Sequence, residues 1–174
     1  IGALERLFKA GITQLATIHR GFYLNEVSAF RNDPKWEMPI KLREELPHIP
    51  IICDPSHIAG DCEMIQNISQ TAMDLNMDGL MIETHQNPEK AWSDSKQQIN
   101  SEKLKQIMSN LVLRKPKTDD VFLNHQLREF RDKINILDRK IVSILSDRKK
   151  IVEEIAHFKQ QNKITIFQLE RWFE

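Results

Sequence analysis

The chain has 174 residues, and its 25 lysines and arginines balance 25 aspartates and glutamates, so its formal net charge is zero. A neutral chain has no overall field that would attract nucleic acid or an anionic membrane surface. It contains no run of about 18 apolar residues that could span a bilayer, and its first residues lack the pattern of a signal peptide. We therefore expect a cytoplasmic protein that binds neither nucleic acid nor membrane, and no disulfide between its two cysteines.

Glycine and proline divide the chain into two parts. All five glycines and all seven prolines precede residue 117. The earlier part therefore has the turns that short elements need, whereas the remainder can form an uninterrupted helix. This contrast predicts two domains, at residues 1–112 and 122–174, joined by a polar linker at residues 113–121.

In the first part, amphipathic helical segments alternate with short apolar strands. The successive pairs of helix and strand are residues 1–9 with 12–19, residues 41–50 with 49–53, and residues 61–76 with 79–85. Strands that are apolar throughout favour a parallel sheet covered by helices. Both a doubly wound sheet and a (β/α)₈ barrel are compatible with this order of elements.

Each predicted strand ends in polar residues that are suited to chemistry. These are the sequences HRG at 19–21, DPSH at 54–57 and ETH at 83–85. In a barrel, the carboxyl ends of the strands converge on one mouth, where active sites lie. The chain has no glycine-rich motif of a nucleotide-binding sheet, so a barrel is favoured. Because a barrel needs about eight such units, and the chain opens with Ile, we expect further barrel residues before residue 1.

The segments HRGF, IPIICDPSH and GLMIETHQNPEKAWSDSKQQI resemble the closing third of the 3-deoxy-7-phosphoheptulonate (DAHP) synthases that carry a DPSH motif, over about residues 1–108. The resemblance implies condensation of phosphoenolpyruvate with erythrose 4-phosphate at a divalent metal. It assigns three metal ligands to His57, Glu83 and Asp94, and a fourth, a cysteine, to a position upstream of this chain. One imidazole and two carboxylates suit Mn, Fe, Co or Zn. Without the resemblance, a solvated polar rim would be the usual interpretation of this trio.

Two arginines match basic positions of the same family. Arg20 matches an arginine that binds phosphoenolpyruvate, and a guanidinium after a buried strand and before Gly21 can make a two-point contact with an anion. A surface salt bridge is the alternative for Arg20. Arg31 matches a further basic position that binds substrate. Cys53 does not match the family's metal ligand, and we expect it to be a buried strand thiol. Since other phosphate-binding residues of the family lie on earlier strands, the chain alone is not expected to act as the synthase.

The second part carries one long apolar stripe at the three-four spacing of a helix face. The stripe consists of Leu127, Phe130, Ile134, Leu137, Ile141, Leu145, Val152 and Ile155. A helix over residues 122–162 would be about 60 Å long, so its apolar face needs a partner and predicts a homodimer. A plain coiled coil is the simplest interpretation, but Arg148 and Lys159 continue the stripe. A cation on such a face is costly unless an anion meets it.

The spacing of the cations suggests a small anionic ligand. Arg148 and Lys159 lie about 16 Å apart along the helix axis, a gap that two long side chains can narrow around a ligand. Arg131 lies about 25 Å before Arg148, so it can reach the same pocket only from the partner chain of an antiparallel dimer.

The sequence from LREFRDKINILDRK to KITIFQLERW resembles the first helix and following loop of the all-helical chorismate mutases, over about residues 122–174. The resemblance implies the rearrangement of chorismate to prephenate, a reaction that needs positioning and charge stabilisation rather than a nucleophile. It implies carboxylate binding by Arg148 and by Arg131 of the partner subunit, a contact of Lys159 with the ether oxygen, and a further contact from Arg171. Gln168 stands where an Asp can occur and is counted with the substrate-binding residues. The family's remaining helices are expected after residue 174.

The expected fold is α/β plus all-α: the C-terminal part of a (β/α)₈ TIM barrel, followed by the long first helix of a chorismate mutase domain. The expected enzyme is a DAHP synthase, a transferase, joined to a chorismate mutase, an isomerase. In one alternative, the helical part is a regulatory module that binds chorismate or prephenate. In another, it only holds two chains together.

Overall fold

The computed structural model describes residues 1–25, 28–115 and 117–167, and the chain divides into two compact units, Ile1–Pro116 and Lys117–Glu174. The first unit mixes helices and strands, and the described part of the second consists mainly of one helix. The elements of the first unit are α1 (Gly2–Lys9), β1 (Thr17–His19), α2 (Glu37–Glu45), β2 (Ile51–Cys53), α3 (Pro55–Ala59), α4 (Ile65–Asp74), β3 (Gly79–Leu80) and α5 (Ser101–Asn110), with 3₁₀ turns at Pro88–Lys90 and Ser95–Gln97. The long helix of the second unit is α6 (Val121–Gln161).

The three strands form a parallel sheet in the order β1-β2-β3. In this sheet His19 pairs with Cys53, and Cys53 pairs with Leu80, so all three strands end at one edge. The parallel arrangement agrees with the sequence prediction. All loops that leave this edge can therefore contribute to one site.

The paired strands are shorter than the sequence predicts. The first strand was expected over residues 12–19 and the third over residues 79–85, but ladder pairing is confined to Thr17–His19 and Gly79–Leu80. Beyond β3, the chain instead pairs with a later segment through an isolated parallel bridge between Thr84 and Ile99. The sequence pattern of a strand continues beyond the residues that pair with a neighbouring strand. The pattern therefore overestimates strand length.

The core of the first unit lies between the sheet and the helices that cover it. Its largest fully buried apolar side chains are Ile51, Ile58, Ile65 and Ile107, from β2, α3, α4 and α5. Burying each such side chain contributes about 1.5–3 kcal/mol. This packing fixes α3 against the sheet edge, immediately beside the polar strand ends.

Helix α6 contains 41 residues and begins at an aspartate cap. Asp120 Oδ1 accepts hydrogen bonds from the backbone amides of Phe122 and Leu123, at 2.8 and 3.1 Å. Within one chain, the eight residues of the apolar stripe are each 45% to 58% exposed. Exposed apolar surface of this extent is typical of an interaction face. None of the helices in the described ranges has the length and apolar character needed to cross a membrane.

Candidate functional site

The loops at the carboxyl edge of the sheet bring three predicted ligand residues together. His57 lies on α3 after β2, Glu83 follows β3, and Asp94 lies in the next loop. One imidazole nitrogen and one carboxylate oxygen from each acid all lie within 4.8 Å of one another. The parallel sheet thus gathers residues that are far apart in the sequence into one cluster.

The orientation of the His57 ring is set by Asp54, the N-cap of α3. Asp54 Oδ1 accepts from the His57 backbone amide at 3.0 Å, and Asp54 Oδ2 lies 2.7 Å from His57 Nδ1. A carboxylate at Nδ1 favours the tautomer with the proton on that nitrogen, which leaves Nε2 as the free donor atom. His57 Nε2 lies 3.7 Å from Glu83 Oε1 and therefore faces the cluster.

Glu83 is held at the sheet edge through its backbone. Its N–H donates to the buried hydroxyl of Ser56 at 3.0 Å, and its carbonyl accepts from Ile99 N at 3.2 Å. His85 N donates to the Ile99 carbonyl at 2.9 Å, so the chain after the 3₁₀ turn runs alongside the segment that carries Glu83. This pairing returns the loop that contains Asp94 to the cluster.

Arg31 and Gln97 contact the two carboxylates. Arg31 Nη1 donates to Asp94 Oδ1 at 2.7 Å and to Gln97 Oε1 at 2.6 Å. Gln97 Nε2 donates to Glu83 Oε2 at 2.7 Å. The side chain of Arg31 is 46% exposed, whereas Gln97 is 1% exposed. Arg31, predicted from the sequence to bind substrate, therefore also forms an ion pair with a predicted metal ligand.

The loop that carries Arg31 is tied to the carboxyl end of α3. The backbone amides of Arg31 and Asn32 donate to the last carbonyls of α3 at 3.2 Å each, and Asn32 Nδ2 donates to the His57 carbonyl at 2.8 Å. These bonds satisfy carbonyls that a helix end leaves without an internal partner. Gly60 permits the close approach, since a Cβ there would lie 2.5 Å from Arg31 Cβ.

The chemistry of the cluster fits a divalent transition metal. His57 Nε2, Glu83 and Asp94 offer one nitrogen and carboxylate oxygens, a set that Mn, Fe, Co and Zn accept. A carboxylate that orients the imidazole from its other nitrogen is a common companion of metal-binding histidines. Cys53 is fully buried, and burial together with the charge of Asp54 raises its pKa to about 12. Cys53 is thus a buried strand thiol, as expected from the sequence, and it lies outside the group of His57, Glu83 and Asp94.

The other predicted residue at the edge, Arg20, is exposed after β1. Within the described ranges no hydrogen bond or ion pair joins it to the cluster, so its role stays a prediction. Its neighbour His19 is buried beside the rings of Phe22 and Trp36, with centroid distances of 6.1 and 5.5 Å. His19 is thus a packed residue rather than a fourth donor.

The predicted cations of the second unit lie on α6. Arg131, Arg148 and Lys159 are placed on the helix as expected. At 100° per residue, the eleven positions between Arg148 and Lys159 return to within about 20° of the same face. Gln168 and Arg171 lie outside the described residues.

A groove borders Lys159 at the end of α6. Lys159 Nζ donates to the Ile166 carbonyl at 3.1 Å, where the chain turns back after the helix. The groove has a volume of about 410 Å³ and is lined by Ile151, Glu154, Ile155, Phe158, Lys159 and Ile164. The lining thus combines four apolar side chains with one cation and one carboxylate, Lys159 and Glu154.

Sequence reasoning missed two residues of the cluster. Asp54 carries a recognisable signal, because an Asp before a Pro and three residues before His57 matches an N-cap pattern. Gln97 carries no such signal. Its contacts with Arg31 and Glu83 depend on the tertiary fold.

Comparison with known proteins agrees with the two-part architecture. Residues 2–117 match the DAHP synthetase I family, and residues 130–174 match the chorismate mutase type II family. A phospho-2-dehydro-3-deoxyheptonate aldolase of Thermotoga maritima is 30% identical over 107 residues, which are 62% of this chain and 31% of that protein. A bifunctional chorismate mutase/prephenate dehydratase of Buchnera aphidicola is 46% identical over 48 residues, which are 28% of this chain and 12% of that protein.

Solved structures give the same result for the first unit. A truncated 3-deoxy-D-arabino-heptulosonate 7-phosphate synthase from Thermotoga maritima is similar with a TM-score of 0.55 at 30% identity, covering 60% of this chain and 39% of that chain. A phospho-2-dehydro-3-deoxyheptonate aldolase structure from the same organism gives a TM-score of 0.53 at 30% identity, covering 60% and 30%. The chain thus spans about a third of the length of these relatives. Its parallel α/β unit corresponds to part of their fold.

Proposed function

Since the chain belongs to the DAHP synthetase I family and continues into a chorismate mutase type II domain, we propose that it is part of a bifunctional enzyme of aromatic biosynthesis. The first unit contributes to the condensation of phosphoenolpyruvate with erythrose 4-phosphate. The second contributes to the rearrangement of chorismate to prephenate. Because the chain spans about a third of its synthase relatives, both activities are assigned to the intact protein.

The synthase proposal rests mainly on the convergence of His57, Glu83 and Asp94 within 4.8 Å. These residues would hold a divalent transition metal, which supplies a Lewis acid that polarises the aldehyde of the sugar phosphate when bound. The residues of this chain bind and orient. Asp54 holds the proton of His57 on Nδ1, and Arg31 lies beside the carboxylate of Asp94, where its exposed guanidinium can also meet an anionic substrate.

Arg20 completes the proposed substrate contacts at the sheet edge. It follows β1, and the adjacent Gly21 has φ of +74°, in the left-handed region that favours glycine. A Cβ at Gly21 would lie 2.7 Å from the Asn32 carbonyl, so the backbone beside Arg20 packs closely against the Arg31 loop. The guanidinium groups of Arg20 and Arg31 therefore belong to neighbouring segments. A substrate such as phosphoenolpyruvate, which carries both a phosphate and a carboxylate, would require two such groups.

A metal titration tests the synthase proposal. The intact protein, stripped with a chelator, should lose condensation activity and regain it with about one equivalent of Mn²⁺ or Co²⁺ per site. His57→Ala should prevent uptake, because it removes the nitrogen ligand, whereas His85→Ala changes a histidine outside the trio and should preserve uptake. Full activity without metal would exclude the proposed centre.

For the helical unit, the supporting observation is the shared face of Arg148 and Lys159 on α6. We assign the carboxylates of chorismate to Arg148 and to Arg131 of a second copy, and the ether oxygen to Lys159, with Gln168 and Arg171 as further predicted contacts. Such a site lowers the barrier by holding the folded substrate and stabilising charge on the breaking ether bond. The regulatory alternative keeps the same ligand without turnover.

The exposed stripe of α6 supports a homodimer as the proposed assembly. Covering one such face with another removes apolar side chains from water, which is the usual driving force of helix pairing. Ile141→Glu places a charge within the stripe and should dissociate the dimer, whereas Lys140→Glu changes a position 100° away and should not. Sedimentation at several concentrations measures both variants. A cytoplasmic location stays a prediction.

A further inference from the structure

Gln97 is buried between the positive and negative groups of the cluster. It is 1% exposed, and both ends of its amide are used: Oε1 accepts from Arg31 Nη1 at 2.6 Å, and Nε2 donates to Glu83 Oε2 at 2.7 Å. It closes a chain of contacts, since the same Arg31 nitrogen also donates to Asp94 Oδ1 at 2.7 Å.

The chemistry of the two neighbours determines the direction of this amide. An arginine has only donors, and an ionised glutamate has only acceptors. The carbonyl of Gln97 must therefore face Arg31, and its NH₂ must face Glu83. An amide of this length links a guanidinium to a carboxylate without carrying charge itself.

The hydrogen bond from Gln97 leaves one carboxylate oxygen of Glu83 available to the cluster. Gln97 takes Oε2, whereas Oε1 lies 3.7 Å from His57 Nε2. A glutamate at an exposed edge would otherwise sample several rotamers. With one oxygen anchored, the other is held near the imidazole nitrogen.

We propose that Gln97 is a positioning residue that fixes Glu83 for metal binding and ties its orientation to Arg31. This inference rests on the proposed metal centre. Gln97 itself touches neither the metal nor the substrate. Its effect is therefore expected first on metal affinity and on the ligand field, and only through them on turnover.

Gln97→Met in the intact protein tests the role, because methionine has similar length but cannot make either hydrogen bond. Loss of a group that orients a ligand typically weakens metal affinity by about 10- to 100-fold. Competition with a chelator measures the affinity for Co²⁺, and the visible absorption of bound Co²⁺ reports the geometry of its ligands. Gln106→Met, an exposed glutamine on α5, makes the same change outside the cluster.

The expected result is weaker Co²⁺ binding and an altered absorption spectrum in Gln97→Met, and wild-type affinity and spectrum in Gln106→Met. Gln97→Asn serves as a second variant if Gln97→Met does not fold, since its shorter amide cannot span both partners. Affinity within two-fold of wild type and an unchanged spectrum in the folded variant would overturn the role of Gln97 alone. Absence of metal uptake by the wild-type protein would overturn both this role and the proposed centre.

Discussion

Asp54 holds His57 at two atoms: its carboxylate accepts from the His57 backbone amide at 3.0 Å and lies 2.7 Å from His57 Nδ1. The same residue thus starts α3 and orients the ring that the helix carries. Because Asp54 is 1% exposed, water competes little for these bonds. The capping of α3 and the orientation of the His57 ring therefore depend on the same side chain.

Asp54→Asn should separate these two functions. Asparagine is also a good N-cap, so α3 should form with little loss of stability. Its NH₂ group at His57 Nδ1 would move the ring proton to Nε2, which can then no longer bind a metal. We expect the affinity of the intact protein for Mn²⁺ or Co²⁺ to fall by about 10- to 100-fold, as measured by calorimetric titration.

Asp120→Asn is the matched control, because Asp120 also caps a helix, at the exposed start of α6. It makes no contact with a histidine among the described residues and should leave metal affinity unchanged. Equal affinities of wild type and Asp54→Asn would contradict the proposed role of the tautomer.

Gly60→Ala tests how the Arg31 loop is fixed to α3. Gly60 has φ of +69°, and an added Cβ would lie 2.5 Å from Arg31 Cβ. The left-handed conformation costs alanine about 1 kcal/mol, and forced displacement of the packed loop adds about 1–3 kcal/mol. We expect a lower free energy of unfolding in urea, with weaker metal binding because the loop also carries the partner of Asp94.

Gly11→Ala is the control for backbone strain, because it introduces the strain of a left-handed alanine without a steric clash. Gly11 has φ of +85°, but nothing lies within 4 Å of its added Cβ. This variant should lose about 1 kcal/mol from conformation alone and keep its metal affinity. Similar losses of stability in the two variants would show that the Arg31 loop yields freely.

The sequence allows prediction of those parts of the fold and site that depend on local pattern. Apolar runs indicate three parallel strands, and polar strand ends place His57 and Glu83 at one edge, because parallel strands end together. Strand length is overestimated, since residues 12–16 and 81–85, which belong to the predicted strands, lie outside the paired ladder. Gln97 is inaccessible to such reasoning, because its function depends on a contact with Arg31, 66 positions earlier.

The buried His19 predicts a pH dependence of stability. Burial lowers its pKa below the usual histidine value of 6.5, although a hydrogen bond with the backbone of Pro34 opposes this shift, and its Nε2 has no hydrogen-bond partner in the described structure. Below pH 6.5 His19 binds a proton in the unfolded chain, whereas the buried His19 of the folded protein stays neutral until the pH approaches its lower pKa. Its stabilising contribution is therefore complete above pH 6.5 and decreases as pH falls towards the folded pKa, by at most about 1.4 kcal/mol per pH unit.

Urea unfolding between pH 7.5 and 5, with a chelator present so that metal release does not contribute, measures this dependence. His19→Asn should flatten the slope below pH 6.5, because asparagine keeps a donor but does not titrate. His48→Asn removes an exposed histidine and should retain the wild-type slope. The interpretation fails if His19→Asn and wild type lose stability in parallel.

Lys159→Ala tests whether α6 contributes a catalytic site. If Lys159 stabilises charge on the ether oxygen of chorismate, its removal should lower kcat for chorismate loss by about 100- to 1,000-fold in the intact protein, as for other lost electrostatic contacts in active sites. Absorbance of chorismate gives the rate. Lys149→Ala is the matched control, since Lys149 pairs with Glu153 along the helix, at 3.6 Å, and lies about 100° from Arg148.

The same variants distinguish the three interpretations of the helical unit. A catalytic site requires loss of turnover in Lys159→Ala and a rise of the melting temperature with ligand in wild type, because a ligand that binds the folded state stabilises it. A regulatory module requires the rise in melting temperature, with little chorismate turnover in wild type and no further loss in Lys159→Ala. If neither chorismate nor prephenate raises the melting temperature, Arg148 and Lys159 bind no such anion, and α6 serves only to pair two chains.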